Sequence, residues 1–203
     1  MPTTLHIYDA NDFGPRKWGY LGTDRPGIVW TSVASLQDIQ NEIARVGGLG
    51  GGISELWFHM HGSPGIVWLK TGYFSADQCL NIYTVGQLKP VCLHAMAPKA
   101  RISFTTWNLG DGTQGADCLR AAGPAMLSGG GGIMLAPTSI TVSDPLFGEW
   151  LPRWGDVRVA QVSPGGAVII SQKSFTPTGP MLPPFMIGPG VPTKRPLWPP
   201  HIR

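Results

Sequence analysis

The chain has 203 residues, 42% of them apolar and eight of them tryptophan, enough for one sizeable hydrophobic core and below the size at which a core usually divides. Charged residues make up 13%, well under the roughly 25% of an average soluble chain, so the surface is expected to rest on Ser, Thr, Gly and Pro. A net charge of +3 carried by scattered Lys and Arg argues against a nucleic-acid partner, and no run approaches the roughly 18 apolar residues of a membrane helix.

The N-terminal "MPTTLHIYDANDFG" has no basic segment followed by an apolar run, so no secretion signal is expected and a cytoplasmic location is. Cys79, Cys92 and Cys118 are an odd number without CxxC spacing, which predicts buried, reduced thiols.

In chain order, "TLHIYD" (Thr4 to Asp9) and "GIVWTS" (Gly27 to Ser32) read as strands. "SLQDIQNEIARVGG" predicts a helix: Ser35 is the N-cap, Asp38 follows three residues later, Leu36, Ile39, Ile43 and Val46 share a face, and Gly47 stops it. The glycine run Gly47 to Gly52 follows a helix and precedes a strand, the reverse of the order a phosphate loop needs, so a turn is expected. "ISELWFHMHG" reads as a strand ending in a turn, "GIVWLKTGYF" as a short strand or hairpin, and "SADQCLNIYTVGQL" as a helix capped by Ser75. "RISFTTW" (Arg101 to Trp107) is a strand, and "NLGDGTQG" a glycine-rich turn. "ADCLRAAGPAML" is a helix, "GIMLAPTS" a strand, and "DVRVAQV" with "AVIISQ" a hairpin around "SPGG".

This alternation predicts an α/β domain over residues 1–175: three layers, with a mostly parallel sheet of near-continuous apolar strands covered by helices on both faces. Nine of the twenty prolines lie after Thr176, so 176–203 reads as an extended, proline-rich tail. Met181, Leu182, Phe185, Met186, Ile187, Leu197 and Trp198 give it too much apolar surface for a solvated linker, and it is expected to wrap the domain or contact a partner.

The chemistry centres on His61, in "ELWFHMHGSPGIVWL". His59 and His61 are two apart on an expected strand and share a side, which opens a metal-binding alternative. His94 with Cys92 is a conceivable further ligand pair, but no carboxylate follows closely; no cofactor is expected. Ser63 lacks the preceding glycine of a nucleophile elbow. His61 lies at the carboxyl end of an apolar strand, where ligand crevices open in α/β sheets, and a neighbouring parallel "RISFTTW" would bring Asn108 to the same place.

Glu55 to Leu69, "ARISFTTWNLGDGTQGADCLRAAG" and "GGIMLAPTS" together resemble the caspase-like cysteine peptidases, in particular the small bacterial domains related to toxin self-cleaving modules and clostripain. The resemblance covers about Ser54 to Ser139. It implies a catalytic histidine in a His-Gly pair after a hydrophobic strand, and a catalytic cysteine ending the next strand before a glycine-containing turn into a helix. His61 and Gly62 match the first half. Asn108 occupies the cysteine position, and an amide cannot become a thiolate. Cys118, ten residues further on in a helix, would lie roughly 15 Å away.

The expectation is therefore a catalytically silent protein binding a protein or peptide partner, with a residual groove of His61, Gly62, Ser63, Trp107, Asn108, Gly110 and Asp111. Two alternatives stand beside it: a hydrolase pairing His61 with Cys118 or Asp111, and a metal-binding protein using His59 and His61.

Overall fold

The computed structural model describes residues 2–10, 26–69, 79–139, 141–144, 149–152 and 155–175. Its main sheet is built from β1 (Thr3–Asp9), β2 (Ile28–Val33), β3 (Ile53–His59), β7 (Met96–Phe104), β8 (Gly132–Pro137), β11 (Gly155–Val162) and β12 (Val168–Phe175). Their order across the sheet is β2-β1-β3-β7-β8-β11-β12. The first five run parallel, and β11 is antiparallel to both β8 and β12. A small antiparallel sheet joins β4 (His61–Ser63), β5 (Ile66–Trp68) and β6 (Cys79–Leu80), and β9 (Thr141–Asp144) pairs with β10 (Glu149–Pro152).

Helix α1 (Leu36–Gly47) forms where the apolar spacing predicts, with Leu36, Ile39, Ile43 and Val46 buried. Ser35 Oγ accepts the Asp38 amide at 3.1 Å, satisfying one of the helix's end donors, and Asp38 Oδ2 accepts the amide of Ala34, just before the cap, at 3.0 Å. Gly50, Gly51 and Gly52 all take positive φ in the turn to β3, a conformation that glycine adopts without a Cβ penalty.

From β2 onward each parallel crossover steps the same way across the sheet, to β3, β7 and then β8. Right-handed crossovers that step the same way lie on the same face. Accordingly α1, α2 (Lys89–Ala95) and α3 (Gly112–Leu127) contribute to one core with Leu5, Ile7, Leu56, Phe58, Ile102, Phe104, Met134, Ala136 and Ala160. A helical layer on the second face, which the sequence leads one to expect, is not among the described residues.

The second face is also less apolar than expected. β1 alternates strictly: Leu5 and Ile7 are fully buried in the core, while Thr4, His6 and Tyr8 point the other way and are half-buried. In register with His6 lie Trp30 and Trp57, and further across the same face Leu135, Val157 and Val159 form a separate apolar cluster. The Arg101 guanidinium sits 5.5 Å from the Trp57 ring centre and is paired with Glu55 at 2.8 Å.

Two expected elements differ. The helix expected over Ser75 to Leu88 is replaced, within the described residues, by β6, a turn, one turn of 3-10 helix at Val85–Leu88 and then α2. Asn81 is the cause: its Oδ1 accepts the amides of Tyr83 and Thr84, a local turn that competes with helix. Ser75 itself lies outside the described residues, as do Lys70–Phe74 and the tail 176–203. The strand read as Arg101 to Trp107 starts earlier, at Met96, and ends at Phe104. Its register to β3 slips between Ile53 and Glu55, where Pro98 and Lys99 (φ 59°) occupy a bulge. No described helix is long and apolar enough to cross a membrane.

Candidate functional site at the ends of β3 and β7

β3 ends at His59; Met60 turns inward and is buried, and the chain reverses through the β4–β5 hairpin, in which His61 pairs with Trp68. The glycine after His61 is dictated by packing. A Cβ at Gly62 would stand 1.9 Å from Thr106 Cγ2 and 2.6 Å from the Ile66 carbonyl oxygen, so only glycine lets the hairpin lie against the end of β7. The hairpin turn is tied down as well, because the Gly65 amide donates to the Leu109 carbonyl at 3.0 Å.

After Phe104, Thr105 and Thr106 are buried and the chain turns over Trp107–Gly110. The turn is pinned to the end of β8 by the Asn108 amide donating to Ser139 (3.2 Å) and the Gly110 amide to Pro137 (2.9 Å). Asn108 has φ 53°, a left-handed backbone that Asn adopts more readily than most residues. Asp111 then caps α3, its Oδ1 accepting the Gly112 amide at 2.8 Å.

His61 and Trp107 meet here: their ring centres are 5.6 Å apart and perpendicular, the edge-to-face contact that aromatic quadrupoles favour. Trp107 remains 45% exposed, so one side of the indole is open to a ligand. Asn108 follows it directly and is half-buried. The segments that follow the two neighbouring strands thus bring His61 and Trp107 into contact, with Asn108 next in sequence to Trp107. Ser63 is half-buried in the hairpin and Asp111 is exposed as the helix cap, whereas Gly62 and Gly110 are buried in packing contacts with Thr106 and Ala136.

The three cysteines are buried. Burial pushes the Cys92 thiol up to about 12 and the Cys118 thiol to about 11, far from the thiolate a nucleophile needs. Cys79 lies on β6 rather than on the helix expected over Ser75 to Leu88, and Cys92 lies on α2.

Both ring nitrogens of His59 lie within hydrogen-bond distance of protein groups: Nε2 is 2.9 Å from His6 Nδ1, and Nδ1 is 3.2 Å from Thr105 Oγ1. Among the described residues, no group of three or more His, Cys, Asp or Glu side chains could hold a metal ion. The His6–His59 contact is the feature that the sequence did not reveal; its only signal is the β1–β3 register, which pairs Tyr8 with His59 and His6 with Trp57.

No protein-family model matches this chain, and the search of curated proteins returns no significant match.

Proposed function

We propose that this chain is a catalytically silent, caspase-like protein that works by binding a protein or peptide partner at the His61/Asn108 strand ends. What supports this reading is that the His-Gly pair begins the hairpin just after β3, that His61 touches Trp107 in the turn after the adjacent parallel strand β7, and that Asn108 is the next residue of that turn. That is the arrangement the resemblance implies for histidine and nucleophile, with an amide where the thiol would be. The open side of Trp107, against His61, is a suitable surface for an apolar or aromatic side chain of the partner. In this reading residues 1–175 form the caspase-like domain, the proline-rich tail is a second interaction arm, and the protein is cytoplasmic.

The alternative hydrolase pairing of His61 with Cys118 is weakened by that thiol's burial, and pairing with Asp111 by the carboxylate's role as helix cap.

The test is Asn108→Cys. If the two positions share a site, the new thiol reacts with iodoacetamide faster than an ordinary exposed cysteine, and its rate falls when His61 is also changed to Ala, because a neighbouring imidazole activates a thiol. A labelling rate indifferent to His61 overturns the shared site. Peptide cleavage by the unmodified protein through a native cysteine overturns the silent reading.

A further inference from the structure

On the second face of the sheet, four rings lie almost parallel. His6 stacks on Trp30 with ring centres 3.9 Å apart, faces Trp57 at 5.7 Å, and lies beside His59 at 5.2 Å. The hydrogen-bond chain through them has a fixed direction. Thr105 Oγ1 is 3.0 Å from the Phe58 carbonyl oxygen, and a carbonyl has no proton to give, so the hydroxyl donates there. Its lone pairs are left for His59 Nδ1 at 3.2 Å, which must therefore carry the proton. His59 Nε2 is then the acceptor, and His6 Nδ1, at 2.9 Å, is the donor. Every proton in the chain points toward Phe58, and the remaining lone pair of both imidazoles sits on His6 Nε2.

We propose that this chain of Thr105, His59 and His6 is an acid-sensitive latch: His6 Nε2 takes the first proton, and the charge created between Trp30 and Trp57 loosens the ring stack on the second face of the sheet while the helical face stays folded. Protonation there breaks no bond in the chain, since Nδ1 still donates to His59. What it adds is a cation in a half-buried stack. The two indole faces attract that cation, but Arg101 already occupies the far side of Trp57. Among the described residues, the groups that face the pair are Trp30 from β2, Tyr8 from β1, Glu55 and Trp57 from β3, and Arg101, Ser103 and Thr105 from β7 and its end. Glu55 is the carboxylate among them, and it is engaged by Arg101 at 2.8 Å and by Trp57 Nε1 at 3.3 Å.

Burial brings the His6 imidazole down from its ordinary 6.5 to about 3, and burial followed by repulsion from His6 lowers His59 well below its ordinary value. In that window the unfolded or opened state binds more protons than the closed one. The closed stack is therefore fully favoured above pH 6.5 and loses stability as the pH falls from there toward 3.

The experiment is an acid titration of the full chain, followed by near-UV circular dichroism for the tryptophans and far-UV for the backbone. The expected result is a near-UV change below pH 6.5 that precedes any far-UV loss and is absent in His6→Phe, whose ring stacks but cannot charge. Near- and far-UV signals that collapse together, or an unchanged transition in the variant, overturn the latch. Should His6→Phe not fold, the imidazole nitrogen shifts of the wild-type protein at neutral pH decide. His59 protonated on Nδ1 supports the chain as drawn, and His59 protonated on Nε2 overturns it.

Discussion

Asn108 shows how one residue can have two explanations at once. In the proposed reading it stands where a nucleophile was lost, and its φ of 53° gives an independent, conformational reason for asparagine there. A left-handed backbone costs an ordinary L-residue about 1–2 kcal/mol, asparagine less and glycine almost nothing. Asn108→Gly should therefore leave the denaturant midpoint nearly unchanged, while Asn108→Ala should destabilise by about 1 kcal/mol. Equal midpoints for both variants would mean that the backbone conformation does not select the residue. The sequence "NLGDG" announces a turn, but not its backbone path: Asn108, Gly110 and Gly112 are all permissive, and Asn108 (φ 53°) and Gly112 (φ 59°) take the left-handed conformation whereas Gly110 does not.

Among the elements, those with a complete local signature were legible from sequence. α1 carries its cap, its apolar stripe and its glycine stop within one stretch, and it forms where they place it. The hairpin of β11 and β12 likewise has its turn written as Pro164 and Gly165. The region before α2 is not helical as expected because apolar spacing over Leu80 to Leu88 imitates a helix, whereas Asn81 Oδ1 accepts the Tyr83 and Thr84 amides and closes a turn. Gly62 belongs to this scale too, since its identity follows from how close two elements come. Gly62→Ala should destabilise by about 1–3 kcal/mol through overpacking against β7. Shortening the opposing side chain with Thr106→Ser in the same protein should recover part of the loss in thermal unfolding, because one of the two close atoms, Thr106 Cγ2, is gone while the Ile66 carbonyl remains. Additive losses in the double variant would show that the two do not press on each other.

At the scale of the molecule, the alternation of strand and helix was enough to infer a mostly parallel α/β sheet, and the structure has one. The same inference puts the segments that follow β3 and β7 on one side of the sheet, since neighbouring parallel strands finish together, and His61 and Trp107 of those segments touch. What could not be read was the character of the second face. Period-two alternation in "TLHIYDA" is plain in hindsight, yet His6 and Tyr8 at the outward positions look like scattered polar residues until the register sets His6 beside Trp30 and Trp57. Lateral neighbours in a parallel sheet come from distant parts of the chain, and a single sequence does not print that register.

The same remoteness has a kinetic consequence. His6 and His59 are 53 residues apart and Glu55 and Arg101 are 46 apart, so each ladder of the central sheet closes a long loop before any of its contacts is gained. β11 and β12, by contrast, meet across a turn of a few residues. Folding should therefore begin at the late hairpin and the helices, with the parallel centre zipping up last and at a rate set by the search for those distant pairings. In pulsed hydrogen exchange, amides of Val159 and Ile170 should gain protection before those of Leu5 and Ile102. Simultaneous protection of all four would mean that the sheet forms as one unit.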